Sequence, residues 1–308
     1  MNQAKSNSTE LMMLSGFAVD DATAFVFSVR PDDWGDPKRE TFVHRVRADG
    51  AEWVQTIRQP VNDCWWSRNG VVYCTTVTGE VIAFERGNAT AERTCARVEP
   101  VRAIIGFSGA TAADDVLIAC GGTSLFVRRA GRWAEHPLPD GVAKLFRLHG
   151  LTADEVFVCT DAGIYVWDGK AFASKKGPDD DEIRSVFVRS TTELVAIGDA
   201  VHLWSDVFGW QQLKSPFGQH SVGVCSSGDS LYIPSRWGIL RLSDTTLEKA
   251  SAVPSGRLVA VGNQVVAAGR DCGISFGAGN RWQRLTLALP SPPGKSSCRP
   301  PCSLTTGH

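Results

Sequence analysis

Arg102, Lys144, Arg184, His220 and Arg257 recur at matching points of successive apolar segments, at the start of each, with Asn62 in the same place further upstream. Groups of this kind converging on one opening raise the local potential, and guanidiniums offer paired donors to a carboxylate or phosphate. The chemistry they suit is the capture of an anion, a phosphate or an acidic segment of a protein partner. The acidic run Asp179-Asp-Asp-Glu182 beside Arg184 offers the opposite outcome, local neutralisation. With a net charge of −1 over 308 residues, the chain has no global pull toward nucleic acid or an anionic membrane. Any electrostatic role is therefore local.

Two tryptophans stand in settings that do not suit a packed strand. Trp34 lies in Arg30-Pro-Asp-Asp-Trp-Gly-Asp-Pro-Lys-Arg-Glu40, where Asp32 and Asp33 precede it. Trp237 lies in Pro234-Ser-Arg-Trp-Gly238, next to Arg236. An exposed aromatic contributes large contact area at low entropic cost, so both loops are candidates for binding a partner. The competing readings are that Trp34 folds back onto its own sheet and that Trp237 covers a sheet edge.

Catalytic constellations are not apparent. The six histidines, His44, His136, His149, His202, His220 and His308, are scattered without metal-ligand spacing. Gly106-Phe-Ser-Gly109 lacks the second glycine spacing of a nucleophile elbow, and Gly121-Gly122 lacks the lysine and helix of a phosphate loop. Of the nine cysteines, Cys120 and Cys159 occupy a place that Pro234 and Gly269 also fill, which marks a small-residue packing position. Cys298 and Cys302 form a lone C-x₃-C in a Pro/Ser-rich tail, weak ground for zinc. The expectation is a protein with no cofactor and no metal, and not an enzyme.

The elements that hold these residues follow from a repeat. Its last aromatic or apolar position falls at Trp53, Ala91, Trp133, Phe172, Trp210, Leu247 and Trp282, intervals of about 35–42 residues. Within each unit the apolar runs are short, rich in Val, Ile, Phe and Trp, and bounded by Gly, Asp and Asn, which excludes helical repeats. Leu145–His149, Val156–Cys159, Ile164–Trp167 and Ala171–Ser174 are four such strands in one unit, with Asp168-Gly169 as a two-residue hairpin signal. Four short strands and their turns sum to one blade of a β-propeller. The predicted architecture is all-β: a seven-bladed propeller of four-stranded antiparallel blades over 11–290, with disordered segments at 1–10 and 291–308. Residues 11–19 read as a first strand and not as a signal peptide, and no segment has the apolar length of a membrane span. The expected location is the cytoplasm.

The Gly-x-Trp and Asn-x-Trp endings Gly131-Arg-Trp133 and Asn280-Arg-Trp282, the Gly-Ile openings at Gly163, Gly238 and Gly273, and the period carry a resemblance to the broad WD40/YVTN/Kelch-like class of propellers. Trp-Asp occurs at Trp167-Asp168 without a Gly-His partner at WD40 spacing, and the Kelch double glycine appears once. No family's functional residues transfer. What the resemblance implies is the fold and its use as a rigid binding platform. The leading functional expectation is a non-catalytic, cytoplasmic protein-binding scaffold using Trp34, Asp32, Asp33, Trp237, Arg236 and the basic opening. The alternatives are an immunity or inhibitor protein that blocks a cognate toxin, and a hydrolase or lyase acting on a glycan or other anionic substrate.

Overall fold

The structure, a computed structural model, describes residues 11–286 apart from 31–32, 34–35, 37, 86–87, 95–99, 176, 179–181, 217–222, 254, 269–272 and 280. Trp34, Asp32, His220 and the two terminal segments lie outside the described residues.

The described residues form seven antiparallel four-stranded sheets, each made of four consecutive strands. Blade 1 runs from Met12 to Ile57, blade 2 from Val61 to Arg93, blade 3 from Val101 to Pro137 and blade 4 from Leu145 to Lys175. Blades 5, 6 and 7 span Ser185 to Leu213, Cys225 to Ser251 and Arg257 to Thr286. The first strands of neighbouring blades pack beside one another around a central channel, so each blade runs outward from its first strand to its fourth. All seven repeat positions fall on fourth strands, Trp53 in Gly50–Ile57 and Trp282 in Arg281–Thr286 among them.

Burial follows this radial order. The second strand of blade 3, Val116–Gly121, is buried along almost its whole length because neighbouring blades cover both faces. The fourth strand, Arg132–Pro137, is mostly exposed or half-buried because it forms the rim. Among the described residues, each blade-to-blade contact has its own apolar cluster. Leu125, Val127, Leu145 and Trp167 join blades 3 and 4, and Ile197, Leu203, Ile233 and Leu240 join blades 5 and 6. Met13, Val26, Val259 and Val266 join blade 7 to blade 1. Among the described residues the ring therefore closes by side-chain packing, with no strand exchanged between its first and last blades.

One turn departs from its sequence reading. Both central residues of a two-residue hairpin turn of that type need positive φ; Ala130 and Gly131, at +47° and +74°, meet the requirement. At Asp168-Gly169 the paired strands end at Trp167 and Phe172, leaving a four-residue loop with positive φ at Gly169. The Asp168 carboxylate closes this loop by accepting the N–H groups of Lys170 at 2.9 Å and Ala171 at 2.8 Å. The short polar side chain substitutes for a second residue in the left-handed region. No helix among the described residues is long and apolar enough to cross a membrane.

Candidate functional site

The loops between second and third strands, together with the connections between blades, emerge on one face of the disc. Their backbone is held by a repeated device. Where the second strand ends, Thr160 accepts the N–H of Ala162 at 3.1 Å and donates to the Gly163 carbonyl at 2.9 Å. Ser235 does the same in blade 6, accepting from Trp237 N–H at 3.1 Å and donating to Gly238 at 2.9 Å. A hydroxyl at this place satisfies both polar groups of a tight turn, which is why small hydroxylated residues recur there. Gly238 follows with φ +146°, and a Cβ on it would meet the Ser251 carbonyl oxygen at 2.1 Å.

Trp237 thus sits on a braced turn and is 55% exposed. Its indole has the Arg236 guanidinium 4.9 Å from the ring centroid, a cation–π arrangement that limits the freedom of both side chains. The matching loop of blade 1 is anchored at its far end. Arg39 is buried and donates to the Val61 carbonyl and to Asn62 Oδ1, each at 3.3 Å. Asn62 in turn donates to the Val101 carbonyl at 2.9 Å, so blades 1, 2 and 3 are linked at the channel mouth. Asp33 is half-buried in that loop, its N–H bonded to the Arg30 carbonyl at 3.0 Å.

The basic residues at the starts of the innermost strands have divergent surroundings. Arg102 and Lys144 are exposed, and the Lys144 ammonium lies 5.8 Å from the Phe146 ring centroid. Arg184 donates to Asp199 at 2.8 Å, with Glu182 at 3.9 Å, and these carboxylates offset its charge. Arg257 lines the channel itself.

Below the mouth lies a cluster that sequence reasoning did not identify. Asp63, on the innermost strand of blade 2, accepts from Ser15 Oγ of blade 1 at 2.6 Å and from Arg147 Nη1 of blade 4 at 3.0 Å. The backbone N–H of Ile104 in blade 3 points at the same carboxylate from 3.4 Å. Four blades therefore meet at one carboxylate. The available sequence signal was a charged residue inside a mainly apolar strand, Asp63 in Val61–Trp66 and Arg147 in Leu145–Thr152. Nearby His149 accepts the Val188 N–H at Nδ1 over 3.2 Å, and burial lowers its pKa to about 4. The thiols around this cluster are inert: Cys64, Cys74, Cys120 and Cys159 are buried and free. Burial pushes Cys120 up to about 12 and the other three upward as well. Thiolates, the reactive form, are thereby suppressed. Among the described residues no group of His, Cys, Asp and Glu has the arrangement of a metal site.

The opposite face carries a different feature. Val207 and Phe208, at the outer turn of blade 5, are 80% and 72% exposed. Sequence reading did not single them out, since a turn tip of this kind differs from a packed hairpin only in three dimensions.

No family model matches the sequence, and no curated protein matches it. Among solved structures, the WD40 β-propeller domain of Doa1 is similar with a TM-score of 0.64 at 12% identity, over 90% of this chain and 93% of that one. At such low identity the likeness establishes architecture alone. The chain is a divergent seven-bladed β-propeller, built like a WD40 domain and sharing little of its sequence.

Proposed function

We propose that the protein is a non-catalytic scaffold that binds another protein through the face bearing Trp237, and that it works in the cytoplasm. The observation that carries this reading is a tryptophan more than half exposed, stacked with an arginine, on a turn braced by a buried hydroxyl. Trp and Arg are the residue types that dominate binding hot spots, and a rigid turn reduces the entropy lost on docking. Arg102 and Lys144 on the same side add positive charge, which favours a partner offering an acidic segment. A propeller supports this use because its loops vary freely on a rigid ring.

The test is quantitative affinity capture with the wild type and the double variant Trp237→Ala/Arg236→Glu. A specific partner should fall by about tenfold or more in the variant, the loss expected for truncating a central aromatic anchor. Phe208→Ala, on the other face, should recover that partner at the wild-type level. Equal recovery by the double variant and the wild type would remove the site assignment.

A further inference from the structure

The channel holds a cavity of about 170 Å³ whose walls include Ser15, Asp63, Arg147, His149, Ser185 and Arg257. We propose that this cavity is a binding site for a small oxyanion, of sulfate or phosphate size, distinct from the protein-binding face.

The first argument is charge. Among the described residues the walls carry the two guanidiniums of Arg147 and Arg257 against the single carboxylate of Asp63. Asp63 already serves Arg147, Ser15 and the Ile104 N–H, and no carboxylate among the described residues pairs with Arg257. Among the described residues one positive charge is left over in a confined, partly desolvated space, where an anion is attracted more strongly than at the surface.

Donor chemistry is the second argument. His149 accepts a backbone N–H at Nδ1, so its ring proton sits on Nε2 and the ring offers a donor. Burial keeps this ring neutral near pH 7, so it contributes a hydrogen bond and not a charge. Ser185 brings a buried hydroxyl from blade 5. Two guanidiniums, an imidazole N–H and a hydroxyl, contributed by blades 4, 5 and 7, can surround a tetrahedral ion having acceptors on every side.

Size is the third. A water occupies about 30 Å³, so the cavity of about 170 Å³ holds the equivalent of about six waters. That admits one tetrahedral oxyanion with part of its hydration.

Equilibrium dialysis with labelled sulfate, at an ionic strength held constant with sodium chloride, tests the proposal. The wild type should take up one sulfate per chain in a saturable manner. Arg257→Met should weaken binding by at least about tenfold, the effect of losing one charge-assisted contact. Arg132→Met, an exposed rim position, should bind as the wild type does. Asp63→Asn keeps one acceptor oxygen, which can face Arg147 while its amide N–H donates to the Ser15 hydroxyl; it removes the opposing charge and should bind sulfate more tightly. These opposite signs separate a site from general damage to the fold. A wild type without saturable uptake, or an Arg257→Met protein that binds as the wild type does, would overturn the proposal.

Discussion

His149 shows how one side chain couples the channel to the stability of the ring. Its aromatic neighbour Phe187 lies 4.4 Å away between centroids, and its Nδ1 is committed to the Val188 N–H. The unfolded chain takes up a proton on this ring near 6.5, whereas the folded chain does so only near 4. The unfolded state therefore binds more protons between those values, and stability should be highest above pH 6.5 and decline as pH falls through 6.5 toward 4. Because the ring keeps some contact with the channel, the loss should amount to about 2–3 kcal/mol. In His149→Gln the side-chain oxygen can still accept from Val188, so urea unfolding midpoints should show a shallower decline between pH 6.5 and 4 than in the wild type. An identical slope in the two proteins would mean that His149 is not the titrating group. At this scale the sequence was only partly readable. Trp237 could be singled out because its setting does not suit a packed strand, and Arg257 because basic residues recur at its place in successive units. The Asp63–Arg147 contact could not, since it joins residues 84 positions apart and no local spacing records which blade faces which across a channel.

Single elements are tied together by polar contacts as well as apolar ones, and blades 2 and 3 give the clearest case. Arg128, on the third strand of blade 3, donates to Glu92 on the outermost strand of blade 2 at 2.8 and 3.1 Å. Trp133 Nε1 donates to the same carboxylate at 2.9 Å. Asp115 lies fully buried beside this group and accepts from Asn69 at 2.9 Å and the Gly109 N–H at 3.0 Å. Glu92→Ala leaves the Arg128 guanidinium buried without its carboxylate, so it should destabilise the protein by about 3 kcal/mol in chemical denaturation. Replacing both partners, as Glu92→Leu/Arg128→Met, should recover much of that loss, because the larger part of the cost is an uncompensated charge and not a missing bond. Strand positions were legible in the sequence because short apolar runs between glycines leave few alternatives. The blade 4 strands at Leu145–Thr152 and Glu155–Thr160 begin within one residue of their expected starts. Turn chemistry was less legible: the Asp168 loop uses a side-chain acceptor where the dipeptide suggested two left-handed residues. Both solutions are available to Asp-Gly, and the register of the flanking strands decides between them.

For the whole molecule, the period was the decisive quantity. Seven units with strand-like interiors imply a closed ring, since stacking blades leaves apolar faces at both ends until the last meets the first. Met13, Val26, Val259 and Val266 pack across this joint, and among the described residues every hydrogen-bonded sheet stays within four consecutive strands. Chain order is therefore written nowhere in the ladder of any blade, and the boundary between blades 7 and 1 is equivalent in kind to the other six. A circular permutant should demonstrate this: with the present ends joined through their own terminal segments, the chain can be opened at the exposed Asp140-Gly141 between blades 3 and 4. It should fold to the same ring, with a melting temperature within about 5 °C of the parent, the shift expected when the blade-to-blade contacts among the described residues are all kept. A permutant that fails to fold would show that the blade 7 to blade 1 joint depends on chain order. For an engineer, such a ring can begin at any blade, so a fused partner could be carried on whichever sector of the rim is required.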